Sequence, residues 1–261
     1  MRSTSDKQIG RDGFTILSNT TSGKIAMMIE SSRCAEIEQD LDLFGADLQQ
    51  VKSVSCDMSP TYLKACRNKF PQAQIVVDKF HVMQYVYDAV AEVRLRMKKE
   101  LSEKLSKGKQ KTEADREILF DLEQLRRSRH LLSQSSQNWS QKAEEMMQQL
   151  FEKHPQLKQA YHLAQQFKSW YDINNRMVDR LWIEKDLFLW HQAVENSKLG
   201  ELKPVIRMIE KHEQEIINFF SYGHTNAKAE RLNGKIQRFV SDNYGIKDKD
   251  FALYRIAGYF S

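Results

Sequence analysis

Residues 51–82 read VKSVSCDMSPTYLKACRNKFPQAQIVVDKFHV, and the fold turns on how this stretch is parsed. Val51-Lys-Ser-Val-Ser-Cys56 has strand character and runs into Asp57. Ser59-Pro60 is a helix start, with Ser in the cap position and Pro at the first helical one. That helix extends to about Lys69 and stops before Phe70-Pro71. Ile75-Val-Val77 is a continuous β-branched run, the pattern of a strand buried on both faces, and it runs into Asp78. A strand, a helix and a strand within about thirty residues make a parallel βαβ unit. Both strands then end on one edge of the sheet, each followed by an aspartate. In open α/β sheets that edge is where ligands bind.

Working outward, Phe14-Thr-Ile-Leu17 and Lys24–Ile29 (KIAMMI) are two short strands around the turn residues 18–23, SNTTSG. Ile37, Leu41 and Phe44 have helical spacing that stops at Gly45. Between Val82 and Tyr222 the only strong helix breakers are Gly108, Gly200, Pro155 and Pro204, so this long stretch is expected to be mostly helical. Val82, Val86, Ala89, Val90, Val93 and Met97 form the apolar stripe of its first helix. Further helices are expected over 113–132, 140–152, 157–171, 174–195 and 204–220, with a basic loop at 104–112. Trp170, Trp182, Phe188 and Trp190 fall at helical spacing among aliphatics, which favours core over a base-stacking platform. A last helix runs from about Asn226 to Val240.

The chain has 261 residues, with 40 Lys and Arg against 35 Asp and Glu, and a formal charge of +5. A hydrophobic fraction of 41% excludes wholesale disorder, and the lack of any run of about 18 apolar residues excludes a spanning helix. Met1 to Arg11 carries no apolar stretch of the signal-peptide kind. Three cysteines suit a reducing compartment better than a disulfide framework, and neither they nor His81 show zinc-site spacing. The mild basic excess permits nucleic acid as a partner without demanding it.

On the last helix, Asn226, Ala227, Glu230, Asn233, Gly234 and Gln237 share one small, polar face. Glu230 is its single carboxylate, Arg231, Lys235 and Arg238 lie beside it, and Leu232, Ile236, Phe239 and Val240 form the apolar side. Such a face admits an anionic polymer to the carboxylate, but an amphipathic helix with one solvated Glu gives the same pattern. Asp57 and Asp78 read either as turn residues or, gathered at one sheet edge, as ligands of hard divalent cations for phosphodiester chemistry. His81 could orient a carboxylate, touch DNA or be a satisfied core histidine.

These segments resemble the bacterial insertion-sequence transposases of the ISL-three family. The match lies in 51–82, with its "DM", Tyr62, Phe70-Pro-Gln-Ala73 and Val77-Asp-Lys-Phe-His-Val82, and in 225–238, TNAKAERLNGKIQR. Asn243-Tyr-Gly245 and the aromatics after it also fit. The resemblance implies an α/β fold with a ribonuclease-H-like core and a DDE triad, interrupted by a large all-α insertion. The parts would be 12–81 and 223–261 for the core, the latter carrying the Glu helix, and 82–222 for the insertion.

Carried over residue by residue, Asp57 matches the second triad aspartate and Glu230 the triad glutamate, and these two would hold metal, Mg2+ or Mn2+ in a two-metal site. Asp78 and His81 match an accessory Asp-x-x-His element. The family's hydrophobic first strand ends in an Asp-Glu pair, whereas residues 1–6 read MRSTSD, with Ser5 at the first triad position and Asp6 the only nearby carboxylate. The expectation is therefore a core lacking its first strand, in a chain without the family's N-terminal DNA-binding regions. The implied activity is metal-dependent cleavage and strand transfer of an insertion sequence, with DNA (transposon ends and target) and a second copy of the chain as partners. The alternative is an inactive remnant that at most binds DNA or assembles. Arg94, Lys98, Lys228, Arg231, Lys235 and Arg238 are the expected phosphate contacts. The implied setting is the bacterial cytoplasm, on the nucleoid when bound to DNA.

Overall fold

The computed structural model of the chain describes residues 2–4, 14–44, 47–105, 112–173, 179–222, 227–242 and 249–260. The fold is mostly helical α/β, and it divides into two compact units, Met1–His81 with Gln214–Ser261, and Val82–Glu213.

In the first unit, β1 (Arg2–Thr4), β2 (Phe14–Ser18) and β3 (Ile25–Ile29) form an antiparallel sheet in that order. Asn19 builds the turn between β2 and β3, its side-chain oxygen accepting from the N–H groups of Thr21 and Ser22. Gly23 closes it at φ 75°, a conformation that side chains disfavour. Residues expected to lack strand character do form a short strand, β1, which pairs with Phe14, Thr15 and Ile16 at the edge of this sheet. Ladder bonds come from backbone groups, so three polar residues can form a strand without an apolar run.

The chain continues through α1 (Cys34–Leu43), β4 (Ser53–Cys56), α2 (Pro60–Lys69) and β5 (Gln74–Val77). β4 and β5 pair in parallel, from Ser53 opposite Gln74 to Cys56 opposite Val77. Cys56, Val76 and Val77 are fully buried, as a strand with both faces covered requires. Pro60 occupies the first turn of α2 and Ser59 the cap position, but the Ser59 hydroxyl makes no capping bond. Tyr62 and Leu63 of α2 are buried, and the Tyr62 hydroxyl lies 3.3 Å from Thr15 Oγ1 on β2. The described strands thus form two sheets, three-stranded antiparallel and two-stranded parallel.

The helices of the second unit are most of α3 (Lys79–Lys104), then α4 (Glu113–Arg127), α5 (Gln141–Lys153), α6 (Pro155–Ile173), α7 (Arg180–Ser197) and α8 (Lys203–Lys211). The six apolar stripe residues of α3 are all buried. Thr112 and Asp115 cap α4 reciprocally, which starts the helix where the basic loop ends. Most of that loop, 106–111, lies outside the described residues. Phe167 is fully buried among Trp170, Tyr171 and Trp190, with ring centroids 5.3, 5.5 and 4.6 Å away. The indole N–H groups of Trp170 and Trp190 donate to the Ile183 and Leu163 carbonyls, which makes their burial affordable. Trp182 and Phe188 are the exception to the expected aromatic core, being 54% and 59% exposed. The buried stripe of α7 is Ile183, Leu187, Trp190 and Val194, and one step along a helix turns a side chain about 100° away from it.

The stretch 204–220, expected as one helix, is two: α8 and α9 (Glu213–Tyr222), broken at His212 without glycine or proline. α9 belongs with the first unit, where the Asn218 amide donates to the Ile75 carbonyl of β5 at 2.9 Å. α10 (Ala227–Asp242) and α11 (Lys249–Phe260) complete that unit. Leu232 and Ile236 of α10 and Ile256 of α11 cluster with Ile16 of β2, flanked by Ile25, Met28 and Phe239. The Glu230 helix is therefore clamped to the antiparallel sheet by its apolar side.

Two histidines of the second unit give its stability a pH dependence. The Nε2 atoms of His154 and His191 are buried without hydrogen-bond partners among the described residues. Burial, the largest influence on each, holds both below the ordinary imidazole range; the nearby carboxylates of Asp121 for His154, and of Glu210, Glu213 and Glu195 for His191, oppose it. As pH falls below about 6.5 the unfolded chain takes up these protons before the folded one, so stability is intact above that value and declines below it. Thermal unfolding should show Tm falling between pH 7 and pH 5, less steeply in the His154→Gln/His191→Gln double variant. Parallel slopes would contradict this.

Candidate active site

The parallel register of β4 and β5 sets the carboxyl ends of both strands at one level, so Asp57 and Asp78 follow paired residues Cys56 and Val77. The Asp78 N–H also bonds the Cys56 carbonyl at 3.2 Å, extending the ladder by one step. Asp78 Oδ1 accepts the Phe80 N–H at 3.1 Å, which fixes its carboxylate and starts α3. The first turn of α3 then brings His81 back over the strand ends. Its Nε2 lies 2.7 Å from Asp57 Oδ1 and 3.9 Å from Asp78 Oδ2.

Asp78 is only 4% exposed. Asp57 Oδ1 and Asp78 Oδ2 are both buried with no hydrogen-bond partner among the described residues. One donor atom from each of Asp57, Asp78 and His81 lies within 4.8 Å of the others. Buried carboxylate oxygens without a well-directed hydrogen bond, gathered with an imidazole, suit a cation, and carboxylate oxygen is the donor that Mg2+ and Mn2+ prefer. The residues thus fit a divalent ion. Cys56 is no candidate ligand: its thiol donates to Cys66 and is buried, and both effects push it far above the ordinary thiol range.

The other expected site residues fare differently. Asp6 lies outside the described residues, and of Glu230 and Lys228 only the helical backbone in α10 is described. Arg231, Lys235 and Arg238 are exposed along α10, and Lys98 is half-buried on α3. Nothing packs where a side chain on Gly234 would project, so the α10 surface there is open. Arg94 is a correction. It is 6% exposed, and its guanidinium donates to the Leu125 carbonyl in the last turn of α4. It caps a helix end rather than meeting phosphate.

Replacing Arg94 with Ala should destabilise the protein by about 1.5–3 kcal/mol, the value of a hydrogen bond made by a buried charge. DNA affinity per folded molecule should not change. Lys235→Ala and Arg238→Ala should instead each weaken DNA binding and lower its logarithmic salt slope by about one. A salt titration of binding separates the two classes.

Of the roles open to His81 in the sequence, the structure sets it beside a carboxylate, that of Asp57; this pairing across two strand ends has no signal in sequence spacing. A family model described as that of a transposase, the DDE type of the ISL-three group, matches residues 6–256. The searches of curated proteins and of solved structures each find no match.

Proposed function

The chain belongs to the ISL-three family of DDE transposases, and from that premise we propose that it cuts DNA at the ends of an insertion sequence and joins them to a target. The element order supports a ribonuclease-H-like core: an antiparallel three-stranded sheet, a helix, a parallel strand pair and, after a helical insertion, the Glu helix against the sheet. In this reading 12–81 and 223–261 form the core and 82–222 the insertion, whose last helix, α9, packs with the first unit. Asp57 and Glu230 hold Mg2+ or Mn2+, and Asp6 is the nearest carboxylate to the first triad position. When bound, such a cation supplies Lewis acidity at the scissile phosphate and an acidified water. Lys98, Lys228, Arg231, Lys235 and Arg238 neutralise backbone phosphates and set the register of the duplex. No helix among the described residues is long and apolar enough to cross a membrane. The chain works in the bacterial cytoplasm, at the nucleoid when on DNA, and as a dimer or larger assembly, since two ends must be handled together.

The observation that carries this reading is the pair of aspartates at the ends of two adjacent parallel strands, one of them buried. Purified full chain with Mn2+ and duplexes bearing the ends of the element should give metal-dependent nicks at those ends, suppressed by EDTA. A folded, DNA-binding protein that leaves these duplexes intact would overturn it. A second reading, a DNA-binding or assembly module without cleavage, is favoured by Ser5 at the first triad position. It predicts salt-sensitive DNA binding that survives Glu230→Gln, with no nicking.

A further inference from the structure

We propose that Asp78 and His81 are direct metal ligands, completing with Asp57 a three-donor site at the ends of β4 and β5. The inference rests on the metal-dependent reading above and changes the role of two residues from accessory to ligating.

Proximity alone would not carry this, because carboxylates often gather at sheet ends without an ion. The decisive feature is the division of labour within Asp78. Its side chain is 5% exposed, and Oδ1 is committed to the Phe80 N–H. That bond locks the carboxylate, leaving Oδ2 buried, without a hydrogen bond among the described residues, and 3.9 Å from His81 Nε2. A structural role for Asp78 would be fully served by Oδ1. Nothing in that role explains an orphaned oxygen in a buried place, where such an atom is costly.

His81 does not resolve the matter as a bridging donor. A single Nε2–H can be given to one acceptor, and Nε2 stands 2.7 Å from Asp57 Oδ1 but 3.9 Å from Asp78 Oδ2, beyond hydrogen-bond reach. Asp57 Oδ1 itself receives no well-directed hydrogen bond. A divalent cation satisfies all three donors at once. Donors about 2.1 Å from one ion are at most about 4.2 Å apart, so atoms within 4.8 Å of one another share an ion after drawing together by a few tenths of an ångström. Two strand ends and the first turn of a long helix supply the donors, and regular elements of this kind hold ligand geometry better than loops do.

The donor set also selects the ion. Mg2+ prefers all-oxygen surroundings and gives up its waters reluctantly, whereas Mn2+ accepts an imidazole nitrogen more readily, so Mn2+ should bind more tightly than Mg2+ at this site, and the later first-row ions more tightly still.

The test is Mn2+ binding to the full chain without DNA, followed by electron paramagnetic resonance. Wild type should bind Mn2+ with a nitrogen modulation from a directly bound imidazole. His81→Gln should remove that modulation, and Asp78→Asn, which keeps Oδ1 for Phe80, should weaken Mn2+ at least tenfold. Glu230→Gln should leave the nitrogen signal in place. Wild-type affinity in both Asp78→Asn and His81→Gln, with no nitrogen modulation in the wild type, would overturn the proposal. The His81→Gln spectrum decides it even if Asp78→Asn fails to fold. If Mn2+ binds with the nitrogen signature but end-bearing DNA is not cut, the ligand assignment stands and the cleavage reading falls. If DNA is cut while both variants bind Mn2+ as wild type does and no nitrogen modulation is seen, the ligand assignment falls alone.

Discussion

Asp57→Asn is expected to lower Mn2+-dependent nicking of end-bearing DNA by about a thousandfold or more, the several kcal/mol that metal assistance contributes to such a reaction. Asp57 stands at the end of β4 with Oδ1 buried, without a hydrogen bond, and 2.7 Å from His81 Nε2. An amide there keeps the shape but loses the charge that attracts a cation. The same change should leave the Tm of the metal-free protein unchanged or raise it, because it removes one of two carboxylates that face each other at the strand ends. A loss of activity accompanied by a large fall in Tm would mean that Asp57 serves folding rather than chemistry. Cleavage rates and thermal melts on one preparation distinguish these outcomes.

The largest effect on stability should come from Phe167→Ala, at about 3–5 kcal/mol. Phe167 is fully buried and stacks on Trp170 while meeting Trp190 and Tyr171 edgewise or at a tilt. Removing the ring leaves a void bounded by two indoles whose N–H groups are tied to the Ile183 and Leu163 carbonyls, so they cannot easily swing in to fill it. Urea denaturation read by tryptophan fluorescence reports on this cluster directly. A loss under about 1 kcal/mol would mean that the cluster collapses around the gap.

Much of the first unit was legible because its signals are local. Ser59-Pro60, the β-branched run ending at Val77 and the turn at Asn19 each act within a few residues, and the parallel pairing followed from their order. The Glu helix was legible for the same reason, its apolar period showing in Leu232 and Ile236, both buried. What was not legible depends on partners distant in sequence. Arg94 shares a charged segment with Arg96 and Lys98, and only the last turn of α4, 31 residues away, makes it a buried cap. The break at His212 has no glycine or proline to announce it, and Trp182 and Phe188 turn outward because each lies one step off the buried stripe of α7. β1 escaped notice because backbone pairing leaves no mark on side-chain pattern. At the site, the two aspartates were legible as strand ends, but the orphaned Oδ2 of Asp78 is a property of burial in three dimensions.

The central claim is that the ends of β4 and β5 form a divalent-metal centre, and the most direct measurement locates a bound ion along the chain. Fe2+ with ascorbate and peroxide cleaves a polypeptide where the ion sits, and mass spectrometry reads the cut positions. The account predicts cuts beside Asp57 and within Asp78–His81, suppressed by excess Mn2+. Cuts confined to other segments, or cuts at these positions that Mn2+ does not suppress, would contradict it.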